Sequence, residues 1–76
     1  MTIITESGSH YTFKTFENSV RVLYGRKEIL VTDIENMLVG SRMTVRGYTL
    51  DPYTMQPMTH CGKFFFTTSP ILKIIP

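Results

Sequence analysis

The chain has 76 residues and a formal charge of +2, from eight basic and six acidic side chains, and 42% of its residues are hydrophobic. A chain this short forms one domain, residues 1–76, and its hydrophobic content excludes intrinsic disorder. The nearly balanced charge argues against binding of extended nucleic acid, and the small core of so short a chain predicts a homo-oligomer.

The first third of the chain reads as three strands separated by tight turns. Thr2 to Glu6 is rich in β-branched residues, and Gly8 can take the positive φ of a hairpin turn. Within His10 to Phe16, Tyr11 and Phe13 fall on one face of a strand. Within Val20 to Tyr24, every second residue from Val20 is apolar, and a period of two is typical of strands with one buried face. These segments predict consecutive hairpins.

Segment 26–40 admits two interpretations that share a short strand from Glu28 to Val31. In the first, Thr32 and Glu35 form a capping box and Gly40 ends a short helical segment near 33–39. In the second, the strand is followed by a loop. Isolated short helices depend on tertiary packing, so the sequence alone leaves both open.

Arg42 to Leu50 is the segment on which the functional interpretation depends. Met43 and Val45 alternate with polar residues, so this strand has one buried face and one face in solvent. Guanidinium groups, a hydroxyl and aromatic rings suit a phosphate group and a stacked base. The candidate ligand-binding residues are Arg42, Thr44, Arg46, Tyr48 and Tyr53. A solvated sheet face with scattered charge is the simpler alternative.

The last third begins with a long turn that contains Pro52 to Met58. Phe64 to Phe66 reads as a strand that is apolar on both faces, Thr67 to Pro70 as a turn, and Ile71 to Ile75 as the last strand. The whole chain is therefore mainly β. Five to six short strands, with one short helical segment near 33–39, predict a small antiparallel β-barrel or a strongly twisted sheet, because closure removes exposed edges.

The sequence predicts neither catalysis nor a metal or other cofactor. His60 and Cys61 are adjacent, and neighbours on a strand point to opposite faces, so they do not form a catalytic pair. Together with Met55 and Met58 they lack the spacing of a zinc site. A single cysteine favours a reducing cytoplasm, and we expect no membrane association because no segment has the length of a span.

Four segments resemble a group of small uncharacterised bacteriophage proteins. They are Thr5-Glu6-Ser7-Gly8-Ser9-His10-Tyr11, Val20-Arg21-Val22-Leu23, Val39-Gly40-Ser41-Arg42-Met43, and Thr67-Thr68-Ser69-Pro70-Ile71 through Ile74. Those proteins share an ESGSxY-like start, a VR strand, a glycine before the middle strand and a TSP-hydrophobic end. The present chain departs from that pattern because it has no tryptophan. The resemblance implies a phage origin and a location in the cytoplasm of the infected host cell.

The resemblance also suggests a function, because small phage proteins commonly act on the host. Some sequester the nucleotide messengers of host immune signalling without destroying them. Our leading hypothesis is a non-catalytic accessory protein that binds and sequesters a small anionic ligand, with a nucleotide immune signal as one candidate, and so inhibits antiviral defence. The alternatives are an inhibitor that docks its β edge or the loop from Pro52 to Met58 on a host enzyme, and a structural virion or assembly protein.

Overall fold

The computed structural model describes every residue from Met1 to Pro76, and six antiparallel strands in it close into a barrel. The strands are β1 (Thr2–Thr5), β2 (His10–Phe16), β3 (Ser19–Tyr24), β4 (Lys27–Glu35), β5 (Arg42–Thr49) and β6 (Phe64–Ile75). Each strand pairs with the next one in the chain, and β6 pairs with β1. The predicted small antiparallel β-barrel is confirmed, and each strand has a neighbouring strand on both sides.

Side chains from all six strands fill the interior of the barrel. Alternate residues point inward, as the period-two pattern predicts, and small barrels of this kind are packed with side chains. The core consists of Ile3, Phe13, Val22, Ile29, Met43, Val45, Phe66 and Ile71, each at most 6% exposed.

The short helical segment predicted near 33–39 is wrong. β4 continues to Glu35, and Asn36 then turns the chain with a φ of 59°. The Thr32 hydroxyl donates to the Arg46 carbonyl oxygen of β5 at 3.2 Å. The side chain of a helix-capping residue would instead accept a hydrogen bond from a backbone N–H of its own helix. Pairing with β5 satisfies the backbone along the strand, and this outweighs the local capping signal. No helix in the structure has the length and apolar character needed to cross a membrane.

The turn predicted at Thr67–Pro70 is also wrong, because β6 is one strand of twelve residues. The pairing shifts register twice along it, once against β5 between Arg42 and Thr44 and once against β1 between Ile4 and Thr5. At the second shift Leu72 has no partner on β1 and lies 59% exposed. These β-bulges let Pro70 lie within a strand and bend β6 around the barrel.

The β1–β2 turn is fastened to the middle of β6. The Glu6 N–H donates to the Pro70 carbonyl oxygen at 2.9 Å, and the Ser7 N–H donates to Ser69 Oγ at 3.2 Å. The Ser69 hydroxyl also donates to Ser7 Oγ at 3.0 Å. We call these contacts the serine clasp. The first and last segments of the phage-like pattern thus meet in space although they are about sixty residues apart in the chain.

Candidate ligand-binding site

The predicted residues of β5 share the outer face of the barrel. Met43 and Val45 are 0% exposed, whereas Arg42, Thr44 and Arg46 alternate with them and reach solvent. Four of the five candidate residues, Arg42, Thr44, Arg46 and Tyr48, therefore lie along one strand face, in the order that the alternation predicts.

Arg46 is already engaged by two carboxylates of β4. Its Nη1 lies 2.8 Å from Glu35 Oε1 and 3.3 Å from Asp33 Oδ2. The strand pairing causes this, because Asp33 is directly opposite Arg46. An anion that approached Arg46 would be repelled by these carboxylates. The guanidinium is therefore a poorer hydrogen-bond donor to phosphate than the sequence suggests.

The other candidate residues do not converge. The Thr44 hydroxyl is hydrogen-bonded to the Thr67 hydroxyl at 3.0 Å, and exposed Arg42 lies opposite Pro70. Tyr48 lies opposite Leu30, while Tyr53 is 94% exposed in the loop after β5. The two grooves of the structure are lined by other residues.

The larger of these grooves lies at one end of the barrel, where the β3–β4 hairpin faces the loop after β5. It has a volume of about 410 Å³. Its walls are formed by Arg26, Lys27, Glu28, Thr49, Leu50, Pro52, Met55 and Met58. We call it the mouth groove. The mouths of β-barrels are common positions for small-molecule sites, which typically measure about 300–1,000 Å³.

The loop wall of the mouth groove is held by its own hydrogen bonds. Asp51 Oδ1 accepts from the Tyr53 N–H at 2.8 Å, and the Asp51 carbonyl oxygen accepts from the Met55 N–H at 2.8 Å. The Met58 N–H donates to the Thr49 carbonyl oxygen at 2.8 Å, which ties the loop to the end of β5. Met55 and Met58 are thus presented to the groove by an ordered segment.

The hairpin wall supplies the positive charge. Arg26 and Lys27 are adjacent at the tip of the β3–β4 hairpin, and neither forms an ion pair, since both ion pairs of the structure belong to Arg46. Lys27 Nζ lies 4.8 Å from the centroid of the Phe64 ring, a cation–π contact that positions it. Two cations and the carboxylate of Glu28 leave the groove with one positive charge.

An aromatic cluster lies at the same end of the barrel, with Phe66 buried and the other rings partly in solvent. Tyr24, which precedes the hairpin tip, stacks on Phe66 with ring centroids 4.2 Å apart. Tyr11 stacks on Phe66 at 5.4 Å, and Phe64 lies 5.7 Å from Tyr24. Stacked rings of this kind form a rigid base beneath the hairpin. The contact between Lys27 and Phe64 connects the mouth groove to this base.

The sequence interpretation named the loop from Pro52 to Met58 as a possible docking segment for a protein, but it did not identify the hairpin wall of the mouth groove. The adjacent cations Arg26 and Lys27 beside Gly25 were a usable signal, because a hairpin tip presents its side chains to solvent. For Met55 and Met58 the sequence shows only that they lack the spacing of a zinc site. Only the folded path of the loop reveals that they face the hairpin.

His60 and Cys61 lie in a short 3₁₀ turn (Thr59–Cys61) and not on a strand, and Cys61 is exposed. Nowhere in the structure do three His, Cys, Asp or Glu side chains come together in a way that could hold a metal ion. Comparison with family models, with curated proteins and with solved structures found no match to this chain.

Proposed function

We propose that this protein is a non-catalytic binding protein that sequesters a small anionic ligand in the mouth groove. One observation carries the proposal. Arg26 and Lys27, two cations without a carboxylate partner, border the same groove as Met55 and Met58. Charge on one wall and thioethers on the other suit a ligand with an anionic end and an apolar or aromatic end.

A nucleotide meets this description. Its phosphate would contact Arg26 and Lys27, and its base would lie against the methionine side chains, since sulfur makes favourable contacts with aromatic rings. Binding of this kind needs a shaped, charged surface and no catalytic group. The outer face of β5, with Arg42 and Arg46, is the second candidate site for the same ligand class.

The phage-like sequence segments support a biological role for such binding. Such a phage protein would be made in quantity in the cytoplasm of the infected host. By binding a nucleotide immune signal it would lower the free concentration of that signal and inhibit antiviral defence. Assembly into a homo-oligomer would multiply the number of sites per particle.

Native mass spectrometry with a panel of cyclic and linear nucleotides tests the proposal. We expect a defined assembly that carries a nucleotide-sized adduct. The adduct should be lost in the double variant Arg26→Gln/Lys27→Gln and retained in Arg42→Gln, which removes an exposed cation outside the groove. Loss in Arg42→Gln alone would move the site to β5. A large assembly that binds none of the panel would contradict the proposal and favour a structural virion role.

A host-protein inhibitor is a second candidate function, favoured by Tyr53. This tyrosine is 94% exposed on the hydrogen-bonded loop, and exposed aromatic side chains on ordered segments are typical anchors of interfaces. Docking through a free β edge is disfavoured, because every strand of the closed barrel has a neighbouring strand on both sides. A host protein retained by the wild type but not by Tyr53→Ser would support this function, and equal retention by both would contradict it.

A further inference from the structure

Two cations lie side by side on the outer face of the barrel without a carboxylate partner. Lys14 of β2 is directly opposite Arg21 of β3. Like charges in this position repel each other across a sheet. Arg46, the comparable arginine of β5, is paired with two carboxylates, whereas neither Lys14 nor Arg21 has one within 4 Å. The barrel therefore carries an uncompensated positive pair at this position.

The pair borders a groove with a volume of about 240 Å³. The groove is lined by Thr12, Lys14, Arg21, Val22, Leu23 and Glu28. We call it the outer groove. It lies across β2, β3 and β4, so its walls are strands of the barrel and its shape does not depend on a loop.

Arg21 is held in place while its hydrogen-bonding capacity is unused. Its Cζ lies 4.7 Å from the centroid of the Phe16 ring, so the guanidinium stacks on an aromatic face. Its Nε is buried and has no hydrogen-bond partner in the protein. A guanidinium has five N–H donors, and a buried donor without an acceptor is energetically costly. Its terminal Nη groups are not buried and donate to no protein acceptor, so they can receive an acceptor from outside the chain.

Glu28 sets the charge of the outer groove. Its carboxylate lines the groove without forming an ion pair with Lys14 or Arg21, so one positive charge remains. Glu28 also lines the mouth groove, so the two grooves are neighbours that share this residue. Its negative charge would oppose an anion in the outer groove, and its removal should strengthen binding there.

We propose that the outer groove is an oxyanion-binding site, in which Arg21 and Lys14 hold a phosphate group. The planar guanidinium offers paired donors that match the oxygens of phosphate, and the ammonium adds a point charge beside it. This site is distinct from the mouth groove and does not depend on the proposed function. It is present even if the mouth groove binds no nucleotide.

Nuclear magnetic resonance titration of ¹⁵N-labelled protein tests this site. One sample is titrated with inorganic phosphate and a control sample with sodium chloride at matched ionic strength. The signals of the backbone amides and of the arginine Nε–H groups are followed in both. We expect saturable shifts at Thr12, Lys14 and Arg21, including the Arg21 Nε–H signal. A parallel titration with adenosine 5′-monophosphate distinguishes the sources of the phosphate. Tighter binding than inorganic phosphate identifies a phosphorylated ligand, and equal binding identifies the free ion.

Four variants test whether phosphate binds in the outer groove. Arg21→Gln and Lys14→Gln should each weaken phosphate binding about tenfold, as loss of a charge-assisted hydrogen bond implies. Glu28→Gln should strengthen it, and Lys73→Gln, which removes an exposed cation of β6 outside the groove, should leave it unchanged. Shifts that grow linearly, that appear equally with chloride, or that persist in Arg21→Gln would overturn the proposal. The amide spectrum of each variant reports whether it is folded.

Discussion

Gly47 is the residue of β5 at which the neighbouring strand comes closest. A Cβ atom at this position would overlap the carbonyl oxygen of Leu30 on β4. That oxygen belongs to the backbone and cannot move away as a flexible side chain would. The glycine is therefore required by the close approach of two strands.

We expect Gly47→Ala to lower the free energy of unfolding by about 3 kcal/mol or more, because β4 must shift to admit the methyl group. Urea denaturation measures the change. The control is Gly25→Ala, where the new Cβ meets nothing within 4 Å and only the φ of 62° is unfavourable. That cost is about 1–2 kcal/mol. Equal losses in the two variants would show that β4 does not approach β5 as described.

Thr68 completes the hydrogen bonding at the β5–β6 bulge. It is 3% exposed, and its Oγ1 accepts from the Met43 N–H at 3.1 Å, where the register shift interrupts the strand ladder. The side chain therefore replaces a backbone acceptor inside the barrel.

Thr68→Val keeps the shape of the side chain but leaves the Met43 N–H unpaired, so we expect it to cost about 1–3 kcal/mol of stability. The control is Thr67→Val, on the outer face, where the lost bond to the Thr44 hydroxyl is in solvent. We expect that change to remain within about 0.5 kcal/mol. Thermal unfolding followed by circular dichroism compares the two, and a Thr68→Val protein as stable as the control would contradict this role.

At the scale of elements, the serine clasp joins the two ends of the chain, segments 5–11 and 67–74. The turn that contains Ser7 and Ser9 lies on β6, and Ser69 bonds both the N–H and the hydroxyl of Ser7. These segments therefore have a structural role, which is to hold the first hairpin on the last strand of the barrel.

Ser69→Ala should weaken this attachment without unfolding the barrel. The contacts are exposed, so we expect a loss of about 0.5–1.5 kcal/mol in global stability. The local effect should be larger. Hydrogen exchange of the Ser7 amide should become faster, while exchange in β3 and β4 is unchanged. Uniform acceleration across the barrel, or none at Ser7, would be inconsistent with a local clasp.

The elements show where sequence patterns succeed and where they fail. Alternation correctly assigned the inner and outer faces of β5, because every second residue of a strand points the same way. The helical segment near 33–39 and the turn at Thr67–Pro70 were wrong for one shared reason. Residues 33–35 and 67–70 are held as strand by pairing with distant parts of the chain, and Asn36 then turns the chain. Local capping and turn signals do not contain that information.

At the scale of the whole molecule, the candidate sites depend on strand order. Carboxylates of β4 engage Arg46 because the strands are adjacent, and Lys14 lies next to Arg21 for the same reason. The sequence identified arginines and tyrosines as candidate ligand contacts. It could not show which of them would be paired internally, because charge compensation is a property of the closed barrel.

The mouth groove also arises only at this scale. Its two walls come from a hairpin tip and from a loop about twenty-five residues further along the chain. Composition indicates that methionines are present, but only the fold places Met55 and Met58 opposite Arg26 and Lys27. We propose that these two walls form a binding site for an anion with an apolar part.

Methionine methyl resonances test this claim most directly. The chain has five methionines, of which Met55 and Met58 line the mouth groove, while Met43 is buried in the core and Met1 and Met37 lie outside the groove. The methionine methyl groups are labelled with ¹³C and the protein is titrated with the nucleotide panel. We expect saturable shifts of the Met55 and Met58 signals alone. These shifts should disappear in the double variant Arg26→Gln/Lys27→Gln. Five unmoved signals across the panel, or shifts confined to Met1 and Met37, would contradict the assignment of the mouth groove as the ligand site.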